Sequence, residues 1–406
     1  GNDSLSLNRG LSNSTVVAAG GDDTVVAKLT VAGSSIAAGA GNDSLSISVL
    51  SNSTITGASG ADTITVAGDL LTAQVYGNVA DDSVLVGGAA TSGSIYGGKG
   101  NDVLNVVGNV VGGNVEGNSG ADTITVTGTV SSALVAGGQG NDTISLAAVD
   151  GGNVGGQLGA DTMVVGGVLK NALVSMTKVS DPENSADLAD SLTVGGSVSN
   201  STVYAGAGAD FMSVDGAMIA GEFYGGSGAD SVLLGGSLGG VIELSEGADS
   251  LVATAANAAT VLGGTENDTF SFAGAVRDSS LVGGFGVDSI TATGQLRGST
   301  IWGGDPAKGG SPIDGADYVS VASASASAVY GNSGADSVII GGNATATSLY
   351  GGMDNDLVSI TGDLSAGEII GGSGSDSVII TGSLMGSATV KLDGSSSTEE
   401  ANDSLT

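Results

Sequence analysis

The chain has 406 residues, a formal net charge of −33 with only nine Lys plus Arg, and neither Cys nor His. So acidic a surface argues against nucleic acid, which needs basic patches, and against anionic membranes. Without Cys and His there is no zinc, haem or iron–sulfur site and no mechanism that needs a His base or a Cys nucleophile.

A hydrophobic content of 40% argues against disorder. No apolar run is long enough for a transmembrane helix, so no membrane insertion is expected. The absence of Cys leaves the redox compartment open.

From its first residues the chain repeats one unit. A Gly-rich turn ends in aspartate, an alternating apolar stretch follows, and the pattern returns about every 20 residues. The twenty recurring aspartates are Asp3, Asp23, Asp43, Asp62, Asp82, Asp102, Asp122, Asp142, Asp161, Asp190, Asp210, Asp230, Asp249, Asp268, Asp288, Asp317, Asp336, Asp356, Asp376 and Asp403. A fixed period of this length without helix-forming stretches signals a solenoid.

Within each unit the elements follow in order. Two residues after the aspartate the side chain is apolar in all twenty copies, as at Val25, Ile64, Leu104 and Phe270. Four residues after, it is usually apolar again, as at Ile47, Val66 and Val126. A period of two marks a strand with one buried face, and the aspartate shares that parity, so its carboxylate should turn inward. Gly68, Gly108 and Gly128 then open a second turn, and Leu70, Val110 and Val130 plug it. A second strand carries a core residue seven before the next aspartate, as at Val75, Ile95 and Phe223. Two residues earlier stands a small one, such as Ala73, Gly93 or Ser327, which lets the two sheets approach.

The expected fold is therefore an all-β, right-handed parallel β-solenoid of about 20 residues and two strands per coil. At about 4.8 Å per coil, about 20 coils make a rod of roughly 95 Å. Residues 1–406 read as one continuous solenoid. Gly1 falls inside a Gly-Asn-Asp turn, so the chain reads as a segment of a longer protein.

Three gaps in the ladder are longer, and insertions near 176–189, 303–316 and 391–402 should loop out of the stack. Pro182, Pro306 and Pro312 fall in the first two, with Lys178 and Lys308. Proline cannot donate to a strand ladder. Drift at loop tips accounts for these segments, and a contact with a neighbouring molecule is the sharper reading.

Stacked carboxylates about 4.8 Å apart repel by roughly 3–4 kcal/mol at an effective dielectric near 20. They must protonate, sit apart or hold cations between them. Hard oxygen donors without His or Cys favour Ca²⁺ over transition metals, and Mg²⁺ fits less well because it demands strict octahedral geometry. A hydrogen-bonded turn ladder without metal is the alternative.

Gly97-Gly-Lys-Gly-Asn-Asp102, Gly137-Gly-Gln-Gly-Asn-Asp142, Gly225-Gly-Ser-Gly-Ala-Asp230 and Gly371-Gly-Ser-Gly-Ser-Asp376 match the pattern G-G-x-G-x-D. The chain thus resembles the RTX (repeat-in-toxin) calcium-binding β-roll over nearly its whole length, in the manner of secreted bacterial surface-layer-type repeat proteins. The resemblance implies Ca²⁺ between successive turns, held by Asp carboxylates and turn carbonyls. It also implies secretion and calcium-triggered folding outside the cell. An RTX roll carries the motif on both edges of an 18-residue coil, whereas here it occurs once per coil, so calcium is expected on one edge. Asp190 and Asp403 follow long gaps and are left out of the expected ligand set, which comprises the other eighteen ladder aspartates. Ala80, Leu188, Glu266, Asp354 and Ala401 replace the Gly two before the aspartate, which weakens the sites at Asp82, Asp190, Asp268, Asp356 and Asp403.

Tyr76, Tyr96, Tyr204, Tyr224, Tyr330 and Tyr350 share one outward register beside this edge, and Trp302 occupies the equivalent place. Stacked pairs protecting the backbone, or a lateral or sugar-binding stripe, would explain them. Ser6, Thr65, Thr125 and Thr193 alternate irregularly with Leu85, Leu233, Ile339 and Ile379 in an outer row. The row is too broken for an ice-binding array, and its apolar members suggest packing against a neighbour. Asn13, Asn52 and Asn200 begin Asn-Ser-Thr in one register, which points to turn chemistry rather than glycosylation.

A repeated surface offers no cleft with unequal acids, so no enzyme is expected. The expected role is a calcium-stabilised segment of a secreted, extracellular bacterial surface protein, such as an S-layer, sheath or adhesin stalk. Its partners would be copies of itself or other surface components. An RTX export and folding module of a secreted enzyme or toxin is the second reading, and a glycan-binding adhesin the third.

Overall fold

A computed structural model of the chain describes residues 1–177, 187–306, 314–393 and 404–405. The chain divides into two compact units, Gly1–Ala207 and Gly208–Thr406. Each is a stack of parallel β-coils, and no α-helix occurs among the described residues.

One coil of the first unit shows the plan. Strand Thr63–Val66 pairs in parallel with Ser44–Ile47 on one side and Ser83–Val86 on the other. Strand Gln74–Val79 pairs likewise with Thr54–Ser59 and with Ala90–Lys99. The apolar turn between them holds a third strand of two residues, Leu70–Leu71, paired with Leu50–Ser51 and Ala90–Thr91. Sequence periodicity sees no strand there, because two residues show no alternation.

The core consists of columns of like residues. Ile64, Val66, Leu70 and Val75 are fully buried, and their counterparts stack above and below them. In the second unit the columns admit aromatic rings, and Phe223, Phe270 and Phe272 are fully buried. Phe272 lies between Ala253 and Ala292 in its column, so small neighbours compensate for the large ring.

Coils of 19 residues occur among coils of 20 without disturbing the core, because the missing residue is absorbed at corners. Register shifts fall at Val126/Thr129 in the first unit, and at Ile219/Gly221, Leu234/Ser237 and Ala292/Gln295 in the second. Insertions are tolerated in the same way. Thr162–Val165 pairs in register with Ser191–Val194, and Ser289–Ala292 with Tyr318–Val321, across the two longest gaps. The bodies of the expected loop-outs, including Pro182, Pro312, Lys178 and Lys308, lie outside the described residues.

Candidate metal centre

The Gly-Asp turn is built by left-handed backbone at two positions. Before Asp102 these are Gly98 (φ 123°) and Gly100 (φ 126°), and before Asp142 they are Gly138 (φ 125°) and Gly140 (φ 114°). Such φ values favour glycine, which explains two glycines of the motif. The third has a different cause. A Cβ added to Gly97 would stand 2.3 Å from Asp102 Oδ2, and one added to Gly137 would stand 2.1 Å from Asp142 Oδ2. That glycine is the wall against which the carboxylate rests.

The aspartates turn inward, as strand parity requires. From Asp23 to Asp190 in the first unit and from Asp210 to Asp376 in the second, each ladder aspartate is at most 3% exposed. Asp3 differs, since it is exposed although it belongs to the expected ligand set. Asp403 lies outside the described residues.

Each inward carboxylate uses one oxygen to cap the coil before it. Asp82 N–H donates to Asp102 Oδ1 at 2.8 Å, Asp102 N–H to Asp122 Oδ1 at 2.7 Å, and Asp336 N–H to Asp356 Oδ1 at 2.8 Å. The residue just before the aspartate works in the opposite direction. Asn101 Oδ1 accepts from Ala121 N–H at 2.8 Å in the coil after it, and Asn267 Oδ1 accepts from Val287 N–H at 2.8 Å.

The other carboxylate oxygen has nothing to bond to. Oδ2 of Asp23, Asp43, Asp62, Asp82, Asp102, Asp122, Asp142 and Asp161 in the first unit is buried without a hydrogen-bond partner. So is Oδ2 of Asp230, Asp249, Asp268, Asp288, Asp317, Asp336 and Asp356 in the second. Burial pushes the carboxyl up to about 7 at Asp82, about 7 at Asp142, about 8 at Asp230 and about 9 at Asp317. The N–H bond to Oδ1 opposes that rise, and the charges of neighbouring aspartates add to it. Where the carboxyl is raised to about 8 or 9, as at Asp230 and Asp317, negative charge at neutral pH needs help from outside the chain.

Their surroundings suit a hard cation. Where a Gly77 Cβ would stand, Asp82 Oδ2 lies 2.3 Å away and the next coil's Gly97 carbonyl 2.6 Å away. The same pair of oxygens recurs at Gly263, with Asp268 Oδ2 at 2.2 Å and Gly283 O at 2.3 Å, and at Gly351, with Asp356 Oδ2 and Gly371 O both at 2.4 Å. Carboxylate and carbonyl from adjacent coils thus converge, which is the donor mixture calcium accepts. Among the described residues no three acidic, His or Cys side chains gather as a metal cluster, so the turn backbone and water would supply most ligands.

The replaced glycines do not break the column. Ala80, Glu266 and Asp354 take the left-handed conformation with φ of 85°, 77° and 73°. Asp82, Asp268 and Asp356 remain buried and capped like the others. The backbone geometry that the stack imposes overrides the residue's own preference there.

A second buried column was not legible as such in the sequence. Ser34, Ser53 and Ser201 in the first unit, and Ser279, Ser299 and Ser327 in the second, occupy the small-residue position. Ser299 Oγ accepts from Ser279 N–H at 3.1 Å and donates to Arg297 O at 2.9 Å. A hydroxyl therefore does the capping that Asp Oδ1 does elsewhere, and it leaves no oxygen unused. The comparison isolates what is special to aspartate: a spare, buried carboxylate oxygen in coil after coil.

Two outward features are also explained. Asn13, Asn52 and Asn200 sit at a left-handed corner with φ of 48°, 48° and 47°, as turn chemistry requires. Tyr76 and Tyr96 stack with centroids 5.1 Å apart, and Trp302, Tyr330 and Tyr350 form a longer stack at 5.8 and 4.7 Å. In the outer row Leu85 and Leu233 are exposed, at 37% and 43%, while Ile339 and Ile379 are half-buried.

No protein-family model matches the chain, and no curated protein matches it. A similar solved structure is a hyperactive, Ca²⁺-dependent, β-helical antifreeze protein from an Antarctic bacterium. It is 20% identical over 82% of this chain and 83% of that one, with a TM-score of 0.44.

Proposed function

We propose that this chain is a calcium-stabilised structural segment of a secreted bacterial surface protein. The observation that carries the reading is the run of buried, unpartnered Oδ2 atoms facing glycine walls. A purely structural ladder would be served by serine or asparagine, as other columns of the same coils are. Aspartate in their place costs desolvation and repulsion in every coil. That cost is offset where a divalent ion sits between coils, and calcium is available outside the cell. Folding then waits for export. The role is mechanical rather than catalytic, and other copies of the chain or other surface components are its partners.

The direct test is a calcium count on the folded, dialysed protein by atomic emission. The expected value is on the order of one ion for each pair of adjacent inner aspartates. Replacing a run of three, Asp102→Asn, Asp122→Asn and Asp142→Asn, should lower the count by about four, one for each adjacent pair that includes a replaced residue. A protein that folds and carries no calcium would remove the reading.

A further inference from the structure

The first insertion ends in a feature that the repeat does not explain. The chain leaves the coil at Thr177, which bridges to Gln157, and Asp187 stands three residues before the ladder residue Asp190. In ordinary coils that register carries an exposed side chain, such as Lys99 or Gln139. Asp187 is instead 4% exposed. A Cβ on Gly206 would meet Asp187 Oδ2 at 2.5 Å and Thr177 Cβ at 2.6 Å, so the two side chains share one pocket of the turn.

Neither side chain is satisfied there. Both carboxylate oxygens of Asp187 and the hydroxyl of the fully buried Thr177 lack a hydrogen-bond partner. Burial pushes the Asp187 carboxyl up. Thr177 and the amides of Gly159, Leu188 and Ala207 lie near enough to oppose that rise, without forming a bond to either oxygen. Two carboxylate oxygens and a hydroxyl therefore share one buried pocket, and none of the three is within hydrogen-bond geometry of a partner.

We propose that Asp187 and Thr177 form a separate site for one hard divalent cation of the calcium class, which fastens the chain where the insertion rejoins the coil. It differs from the column in offering both oxygens of its carboxylate and a hydroxyl, and in joining residues ten positions apart, Thr177 and Asp187. Turn carbonyls and water complete the six to eight oxygens that calcium takes. The second insertion ends similarly in Asp314-Gly-Ala-Asp317, but Asp314 is half-buried and its Oδ1 accepts from Gly315 N–H at 3.1 Å. No site is assigned there.

Crystals of the full chain grown in calcium chloride, measured for anomalous scattering from calcium, test this site by site. A peak within ligand distance of Asp187 and Thr177 Oγ1, lost in Asp187→Asn crystals while other peaks remain, is the expected result. Peaks along the aspartate column with none at Asp187 would overturn the inference and leave the proposed function standing. A peak at Asp187 with none along the column would uphold the inference and overturn the column. A map without calcium peaks would overturn both.

Discussion

Without calcium, the chain should become more stable as the solution is acidified. An aspartate in an unfolded chain releases its proton near 3.8, whereas burial keeps the folded groups protonated up to about 6 at Asp62, about 7 at Asp82, about 8 at Asp230 and about 9 at Asp317. A raised folded pKa contributes stability that is fully present below the unfolded value and is lost as the pH rises through the folded one. In EGTA, stability should therefore be highest near and below pH 4 and fall progressively as the pH rises toward about 9, far enough that the metal-free chain is largely unfolded at neutral pH. More than a dozen groups titrate in the same direction, so the fall is large. Saturating calcium should flatten the curve at neutral pH, because the ion stabilises the carboxylate form. Calcium affinity should then weaken in acid, where protons compete for Oδ2. Thermal melts by circular dichroism across this range decide the matter, and a metal-free protein that loses stability on acidification would contradict the assignment of the columns.

Gly137→Ala should be among the most damaging single substitutions in the first unit. The new methyl would stand 2.1 Å from Asp142 Oδ2 and 2.5 Å from its Cγ. The carboxylate cannot swing aside without breaking its bond from Asp122 N–H, which is 2.8 Å long. Overpacking of this kind costs about 1–3 kcal/mol. Here it also displaces the oxygen meant for the cation, so calcium affinity should fall together with stability. Gly166→Ala is the control, since its Cβ would meet nothing closer than 3.8 Å. Denaturant melts at fixed calcium should separate the two variants clearly. Equal stability for both would show that the glycine wall is not a constraint.

Much of this was legible in the sequence because a solenoid writes its cross-section into its period. The buried rows at Ile64, Val66, Leu70 and Val75 follow from alternation and size, and the inward turn of the aspartates follows from parity. What adjacent coils do to each other was less legible. That Asp102 Oδ1 caps Asp82 depends on the exact register between coils, which no single repeat encodes. Ser279 and Ser299 read as small residues, and their hydroxyl bonds become visible only once the coils are stacked. Ala80 and Glu266 looked like defects because intrinsic preference disfavours left-handed backbone, yet pairing on both sides imposes it. Asp187 was hidden because its position places it in an insertion, and only the returning chain reveals that it faces inward.

The measurement that bears most directly on the calcium columns is far-UV circular dichroism at neutral pH, on protein stripped with EGTA and then titrated with Ca²⁺. The expected result is a largely unfolded chain that passes cooperatively to β-structure with calcium and not with equivalent Mg²⁺. A chain that already shows its full β-signal in EGTA at neutral pH would contradict the account, and its aspartates would then be neutral hydrogen-bonding groups rather than ligands.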